Sequence, residues 1–261
     1  MGILKTITDE YFGETIRKED EIDIDDLDVE IVSFTDNNKK YHKNGYKPKD
    51  EDNLKKLLER MIEVRGDEGD FNDIDTSDIE NMGFLFVNSI TSPFKRAETF
   101  NGDITGWNVS KVKNMSYMFY DAESFNQPIG KWNVSNVENM SGMFYFAESF
   151  NQPIGDWKVI SVEYMSGMFY HAESFNQPIC DWKVSKVKYM NDMFKNASNF
   201  NQPIGNWDIS GVIEMNNMFY DAESFNQNLS IWDLTEKETI DFFVRCPIKD
   251  EYKPKMKIKL I

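Results

Sequence analysis

Residues with side chains suited to catalysis or metal binding are few in this sequence, and they do not cluster. The only histidines are His42 and His171, and the only cysteines are Cys180 and Cys246. Acid–base catalysis and metal binding both need several such groups close together. His171 occupies a repeated position that is Asp121 in another copy, which predicts an exposed residue rather than a ligand. We therefore expect no enzyme activity, no catalytic residue, no metal site and no cofactor.

The sequence is strongly acidic, with a formal net charge of -16 at pH 7 and a pI near 4.6. Nucleic acids and anionic membranes attract proteins mainly through Lys and Arg that neutralise phosphate. The composition argues against both and favours a basic protein partner. The densest acidic segment, residues 19–28, lacks the Gly and the terminal Glu of a helix–loop–helix calcium site. We interpret it as a solvated segment.

Neither the cysteines nor the apolar pattern indicates a secreted or membrane-spanning chain. Cys180 occupies a repeated position that is Gly130 in an earlier copy, so it is interpreted as a small residue rather than half of a disulfide. Acidic residues follow Met1 too soon for a signal peptide, and no later stretch is apolar enough to span a membrane. The sequence as it stands predicts a cytoplasmic protein. A chain whose leader had been removed would look the same.

The dominant feature of the sequence is an internal repeat of 25 residues. A Phe-Asn pair recurs at this spacing, beginning at Phe100, Phe125, Phe150, Phe175, Phe200 and Phe225. All the tryptophans follow the same spacing, at Trp107, Trp132, Trp157, Trp182, Trp207 and Trp232. Such a period predicts a solenoid, because one unit cannot bury its own apolar face and successive units must stack to form a core.

Each unit is predicted to contain a short helical arm, either a helix or a tight helical turn, and a brief extended segment. The spacing of one helical stripe is followed by Val112, Met115, Met118, Phe119 and Ala122. Ser110 and Ser135 stand where an N-cap hydroxyl would satisfy free backbone donors. The segment that contains Pro128 is expected to be extended but short, because proline lacks the amide that a central strand uses.

The copies diverge at both ends of the array, as terminal repeats do. Ile74 stands in the Trp place of a degenerate first copy, and a loop insertion near residues 92–93 follows it. After Trp232, the two Met places are assigned to Ile240 and Phe243. Both end copies are therefore expected to act as caps.

The segment before the array does not share its period. An amphipathic capping helix is predicted from the spacing of Leu54, Leu57, Leu58, Met61 and Ile62. Alternation in residues 29–34 predicts a strand or small hairpin. We divide the chain into a small N-terminal lobe (1–46), a capping-helix segment (47–70), the repeat solenoid (71–246) and a C-terminal cap and tail (247–261).

Two polar columns accompany the repeat. The first is the asparagine that follows each conserved Phe, at Asn101, Asn126, Asn151, Asn176, Asn201 and Asn226. We expect these side chains to form a structural ladder by bonding to neighbouring backbone groups. The glutamine that follows, as in Gln127, is expected either to form the floor of a binding surface or to be simply solvated.

Positions that vary while the rest of the unit stays fixed are the candidates for partner binding, because varied polar side chains on a rigid repeat create specificity. They flank the tryptophans, at Lys131, Asn133, Asp156, Lys158, Asp181, Lys183, Asn206 and Asp208. A second candidate set is a row of tyrosines interrupted by Lys195, namely Tyr120, Tyr145, Tyr170 and Tyr220. These rings are expected either to anchor a partner or to brace adjacent units.

The consensus Phe-Asn-Gln-Pro-Ile-Gly-x-Trp-x-Val-Ser-x-Val-x-x-Met-x-x-Met-Phe resembles the repeat of the BspA-like family, which is related to leucine-rich-repeat proteins and whose repeat also occurs in mycoplasma lipoproteins. The resemblance covers about residues 71–243. It implies an α/β fold, a right-handed leucine-rich-repeat-like solenoid with a helical N-cap and a small β-containing N-terminal lobe. It also implies a bacterial, non-enzymatic role in protein binding or adhesion, at the cell surface in members that are secreted.

A second resemblance leaves an alternative function open. Residues 7–14 are similar to the opening of some immunity-type proteins from bacterial toxin systems. In that case the acidic N-terminal lobe would inhibit a basic toxin or nuclease. Our primary expectation is a scaffold that presents its repeat surface to a protein partner, whose identity the sequence does not indicate.

Overall fold

The computed structural model describes residues 22–35, 42–87 and 97–256. Its N-terminal part is an antiparallel hairpin of strands β1 (Val29–Thr35) and β2 (His42–Pro48), followed by helix α1 (Glu51–Arg65). The predicted hairpin and the predicted helix are both confirmed. The five apolar residues that predicted α1 are its buried face. Asp50 caps the helix, since its side chain accepts a hydrogen bond from the Asn53 amide at 2.9 Å.

The segment that precedes the hairpin packs against α1. Ile22 is buried in the same apolar cluster as the helix. The exposed carboxylate of Asp26 forms a 2.6 Å ion pair with Arg60, whose guanidinium also donates to the backbone carbonyl of Asp23. This part of the acidic run is therefore held against the helix, while the side chains of Asp23, Asp25, Asp26 and Asp28 remain exposed to solvent as expected from sequence.

Successive repeat units are joined by backbone hydrogen bonds at a constant offset. The amides of Met115, Tyr117 and Phe119 donate to carbonyls of the following unit at 2.8–2.9 Å. One parallel bridge per unit continues this pairing, through Asn81, Asn114, Asn139, Tyr164, Tyr189, Glu214 and Glu238. Each unit thus uses its neighbour as its hydrogen-bonding partner, as stacked repeats do.

Of the two forms predicted for the arm of each unit, the helix is wrong, and the arm consists of tight turns. Within residues 97–256, the structure has only two short 3-10 helices, Ile129–Lys131 and Asp250–Tyr252. The segment expected to be helical is a chain of turns in which Tyr117 (φ 53°) and Asp121 (φ 61°) adopt the left-handed conformation. The same two places are left-handed in later units, at Gly142, Phe146, Gly167, His171, Asp192, Asn196, Asn217 and Asp221. A helix cannot pass through them, because its residues all need negative φ.

The predicted serine N-caps are also wrong, since no helix follows them. The backbone amides of Ser110 and Ser135 instead donate to the side-chain oxygens of Asn108 and Asn133, two residues earlier. These contacts are local Asx turns, which order the chain just after each tryptophan.

The core is built of columns of identical apolar side chains. Equivalent phenylalanines stack face to face along the array, with 5.6 Å between the ring centroids of Phe119 and Phe144 and again between Phe144 and Phe169. The tryptophans are buried as well, and most indole N–H groups find an acceptor in the preceding unit. Trp182 Nε1, for example, donates to the carbonyl of Ile154 at 3.1 Å. Aromatic area and satisfied polar atoms together make this a well-packed interior.

The predicted asparagine ladder is confirmed. Asn151 Oδ1 accepts a 3.0 Å hydrogen bond from the Asn176 amide, and the same contact recurs between every pair of successive asparagines from Asn101 to Asn226. Each following glutamine donates back to this column, as Gln177 Nε2 does to the Asn151 carbonyl at 3.0 Å. The glutamines are therefore part of the scaffold, which neither sequence-based alternative foresaw. The side-chain hydrogen bonds of this ladder replace the backbone pairing that joins neighbouring strands in a sheet. Pro128, which lacks a backbone N–H, is therefore tolerated.

The first unit follows the predicted alignment. The amides of Met82 and Phe84 donate to the carbonyls of Asn114 and Ser116. Arg65, in the last turn of α1, forms a two-pronged ion pair with the buried carboxylate of Asp73, at 2.7 and 2.8 Å. Helix α1 is thereby fixed to the start of the array. The insertion predicted near residues 92–93 lies outside the described residues.

The last unit departs from the predicted alignment by one residue. Glu238 pairs with Glu214, so the final offset is 24 residues rather than 25. The Met places therefore fall on Thr239 and Phe242, and the assignment of Ile240 and Phe243 to them is wrong. Phe242 is only 2% exposed whereas Ile240 is 53% exposed. Strand β3 (Asp233–Leu234), which follows Trp232, pairs in parallel with strand β4 (Lys255–Met256) near the end of the described chain.

Burial predicts a large difference between neighbouring residues of one unit. Trp157→Ala should destabilise the protein by about 3–5 kcal/mol, because it removes a fully packed indole. The adjacent exposed Lys158→Ala should leave the melting temperature nearly unchanged. Calorimetry of both variants measures the contrast. Equal melting temperatures would show that the repeat register is misassigned.

The asparagine ladder predicts that an acceptor oxygen, not an amide group, is needed at each position. Asn151→Ala should cost about 1 kcal/mol or more, because the Asn176 amide and Gln177 lose their acceptor. Asn151→Asp keeps that oxygen and should melt closer to the parent at neutral pH. Thermal denaturation of the two variants tests this, and an equal loss in both would contradict it.

Candidate functional site

The variable positions beside the tryptophans form an exposed polar surface. In this part of each unit exposed and buried residues alternate, so the residues on either side of a buried tryptophan both reach solvent. All the candidates are exposed: Lys131, Asn133, Asp156, Lys158, Asp181, Lys183, Asn206 and Asp208. The name Trp-flanking surface is used below for these eight residues.

Most side chains of the Trp-flanking surface form no intramolecular hydrogen bond or ion pair with the described residues. Within the part of the chain that the structure describes, Lys158 and Lys183 form no hydrogen bond or ion pair, and neither do Asp156 and Asp181. Asp208 differs, because its carboxylate accepts the Ser210 amide at 3.1 Å. Hydrogen bonding from the Ser210 side chain and then from its amide lowers the pKa of Asp208. The lysines and the two unpaired aspartates therefore keep their charges available to another molecule.

The tyrosine row is a continuous stack rather than an interrupted one. Ring centroids are 5.3 Å apart between Tyr120 and Tyr145, and 4.2 Å apart between Tyr145 and Tyr170. Lys195 fills the gap, since its ammonium lies 5.5 Å from the centre of the Tyr170 ring and 5.0 Å from that of Tyr220. A cation between two rings is held by their quadrupoles. We call Tyr120, Tyr145, Tyr170, Lys195 and Tyr220 the tyrosine column.

The far end of the tyrosine column carries a second cation. The Arg245 guanidinium lies 5.3 Å from the centre of the Tyr220 ring and forms a two-pronged ion pair with the Asp221 carboxylate. The neighbouring surface forms a shallow groove of about 460 Å³, lined by polar side chains that include His171, Glu173 and Arg245. A ring and a carboxylate on adjacent residues thus hold one guanidinium.

Sequence reasoning missed that the tyrosine column widens into a larger aromatic patch near the start of the array. Phe84, half exposed, stacks on Tyr117 at 5.0 Å, and Phe146 stacks on His171 at 4.6 Å. These rings do not recur in the repeat, so periodicity gave no signal for them. Phe84, Phe146 and His171 all occupy left-handed positions of the turns. His171 is half-buried in this patch rather than freely exposed.

Two groups that could react have raised pKa values. Burial raises the pKa of the Cys246 thiol to about 11, and its Sγ lies 3.4 Å from the Phe225 carbonyl. Burial, followed by the neighbouring Tyr170, raises the pKa of Tyr145, so its hydroxyl remains protonated. Cys246 and Tyr145 can donate hydrogen bonds but are poor nucleophiles at neutral pH. Cys180, in the place of the repeated glycine, is not part of a disulfide.

The described residues contain neither a candidate metal site nor a candidate membrane-spanning helix. They contain no group of three or more His, Cys, Asp or Glu side chains placed to hold a metal ion. No helix in the described ranges has both the length and the apolarity needed to cross a membrane.

Comparison with known proteins identifies the repeat array. No curated protein and no solved structure matches the chain significantly. The family described as "Mycoplasma protein of unknown function, DUF285" matches residues 55–173 and 152–246, which together span about three quarters of the chain. The matched segments begin within α1 and end in the last unit, so they include the whole stack of repeats. The chain therefore belongs to the DUF285 family, which is related in general to BspA-like repeat proteins.

Proposed function

We propose that this protein is a non-enzymatic scaffold that binds a protein partner through the outer side chains of its repeats. The observation that carries the proposal is the Trp-flanking surface. Its side chains are exposed and vary from unit to unit, and most of its charges have no intramolecular partner. A surface of this kind on a repeated backbone gives a partner both a fixed geometry and a specific charge pattern.

The same proposal assigns the fold to the BspA-like, leucine-rich-repeat-related class, as a right-handed solenoid. In its support, units of 25 residues are paired by one parallel bridge each and share a continuous aromatic core. The left-handed turns and the asparagine ladder fix the backbone in every unit. A partner would therefore bind a preformed surface, and little binding energy would be lost in ordering it.

The two candidate surfaces would contribute differently to binding. The alternating charges of Asp156, Lys158, Asp181 and Lys183 are solvent-exposed, and exposed ion pairs contribute more to register and association rate than to affinity. The tyrosine column is half-buried and rigidly stacked, which suits it to anchor a partner. In this division the charges select the partner and the aromatic rings retain it.

Charge reversal on the Trp-flanking surface tests the proposal. Lys158→Glu combined with Lys183→Glu should leave the melting temperature unchanged, because neither lysine makes an intramolecular contact. The same variant should weaken capture of the native partner several-fold, measured by crosslinking and affinity capture from the native cell. Tyr145→Ala with Tyr170→Ala should weaken capture further, with its melting temperature recorded as the control for folding.

Normal capture by both double variants would contradict the proposal. The array would then be a spacer, and recognition would lie within residues 1–46. That result would instead favour an immunity-type protein that inhibits a basic toxin.

A further inference from the structure

A column of glutamates stands three residues after the tyrosine places of the repeat, with one carboxylate per unit. It consists of Glu98, Glu123, Glu148 and Glu173, and we call it the glutamate column. The backbone sets its spacing, since the amides of Ser124, Ser149 and Ser174 each donate at 3.0 Å to the glutamate carbonyl of the preceding unit. Like charges are thus stacked at the unit repeat along one edge of the surface.

The first three carboxylates of this column are not neutralised. Glu98, Glu123 and Glu148 form no ion pair with any residue that the structure describes. Partial burial, then the nearby charges of Glu148, Asp121 and Glu98, raise the pKa of Glu123. A carboxyl whose pKa is raised on folding disfavours the folded state above that pKa, so the charge of Glu123 reduces stability at neutral pH. An external cation would relieve the repulsion.

The chain itself shows which cation this kind of surface holds. At the far end of the array, Arg245 lies over the Tyr220 ring and is bound by the carboxylate of Asp221. Lys195 occupies the equivalent of a tyrosine position and lies between two rings. Among the described residues, no such cation contacts Tyr120 or Tyr145, which precede the unpaired Glu123 and Glu148 by three residues. The cationic component is present in the later units and lacking in the earlier ones.

We propose that the glutamate column together with Tyr120, Tyr145 and Tyr170 binds an extended segment of a partner protein in which Lys or Arg occupies alternate positions. This inference rests on the proposed function and adds the chemistry of the partner. Side chains on one face of an extended segment are roughly 6.6 Å apart. The ring centroids of Tyr120, Tyr145 and Tyr170 are 5.3 and 4.2 Å apart. The long, flexible stems of Lys and Arg can absorb this difference of about 1–2 Å per unit across these three units.

The charge of the chain supports a cationic occupant. The net charge of -16 attracts basic segments and repels phosphate-bearing ones. A neutral oligosaccharide could use the tyrosine hydroxyls but would leave the carboxylates of Glu98, Glu123 and Glu148 without counter-charges. The test must therefore be able to detect binding of a neutral oligosaccharide.

The probe for this site is a terminally blocked peptide in which four Arg alternate with Thr, titrated into the full chain by calorimetry. We expect binding that weakens with added salt, because the charge pairs are close to solvent. Glu123→Gln combined with Glu148→Gln should weaken binding roughly fivefold to tenfold. The control is Glu236→Gln with Glu251→Gln, which changes the net charge equally at exposed positions near the C-terminal end. This control should bind within about twofold of the parent.

Three results of the peptide titrations would overturn the inference. They are absence of peptide binding, equal weakening in the two double variants, and equally tight binding of a neutral peptide in which Gln replaces each Arg. A surface that binds neutral oligosaccharides as tightly as the Arg peptide would overturn it as well.

The failure of this inference can be told apart from failure of the proposed function. If the native partner is captured in a manner that depends on Lys158 and Lys183 while the Arg peptide does not bind, only the inference on partner chemistry fails. If neither the lysine nor the tyrosine variants alter capture, the proposed function fails whatever the peptide does.

Discussion

The structure depends on one constraint, which is that the backbone of each unit must satisfy its hydrogen bonds with the next unit. The amides of Met115, Tyr117 and Phe119 all point toward the following unit, and this orientation requires left-handed residues at Tyr117 and Asp121. Unpaired backbone groups in a buried setting are costly, so the geometry of one unit dictates the geometry of its neighbours. The constant repeat length, the stacked phenylalanines and the asparagine ladder all follow from this pairing.

The same constraint leaves the outer side chains free to vary. Trp157 must be buried, but Asp156 and Lys158 beside it point to solvent and contribute nothing to pairing. The tyrosine column lies between these two cases, the buried core and the freely varying surface. Its stacking braces adjacent units, while its ring edges remain accessible. Binding specificity can therefore change from unit to unit without a cost to the core, as in other repeat proteins.

Sequence periodicity predicted which residues are buried more reliably than it predicted backbone conformation. The core columns, the ladder of Asn151 and its equivalents, and the apolar face of α1 were predictable because burial imposes residue type at fixed spacing. The helical arm was not, because tight turns and helices both place residues three apart on one side. The available signal was the recurrence of glycine, asparagine and aspartate at places such as Gly142 and Asp221, since these residues adopt positive φ at the lowest cost.

The misassignment of Ile240 has a different cause, since one residue is missing from the final unit and a fixed period cannot reveal where it was lost. The packing of Lys195 between two tyrosines was equally hidden, because a substitution in a periodic row does not disclose whether the new side chain interrupts or completes it. Both features can be recognised only when the positions of the neighbouring units are known.

The central claim is that a partner is recognised by the repeats and not by the N-terminal region. Its most direct test is to measure acylation of lysine side chains by mass spectrometry, with and without the captured native partner. Recognition by the repeats predicts that labelling of Lys158 and Lys183 falls on binding while labelling of exposed Lys186 does not. Protection confined to lysines within residues 1–46, such as Lys18 and Lys43, with unchanged labelling of Lys158 and Lys183, would contradict the claim.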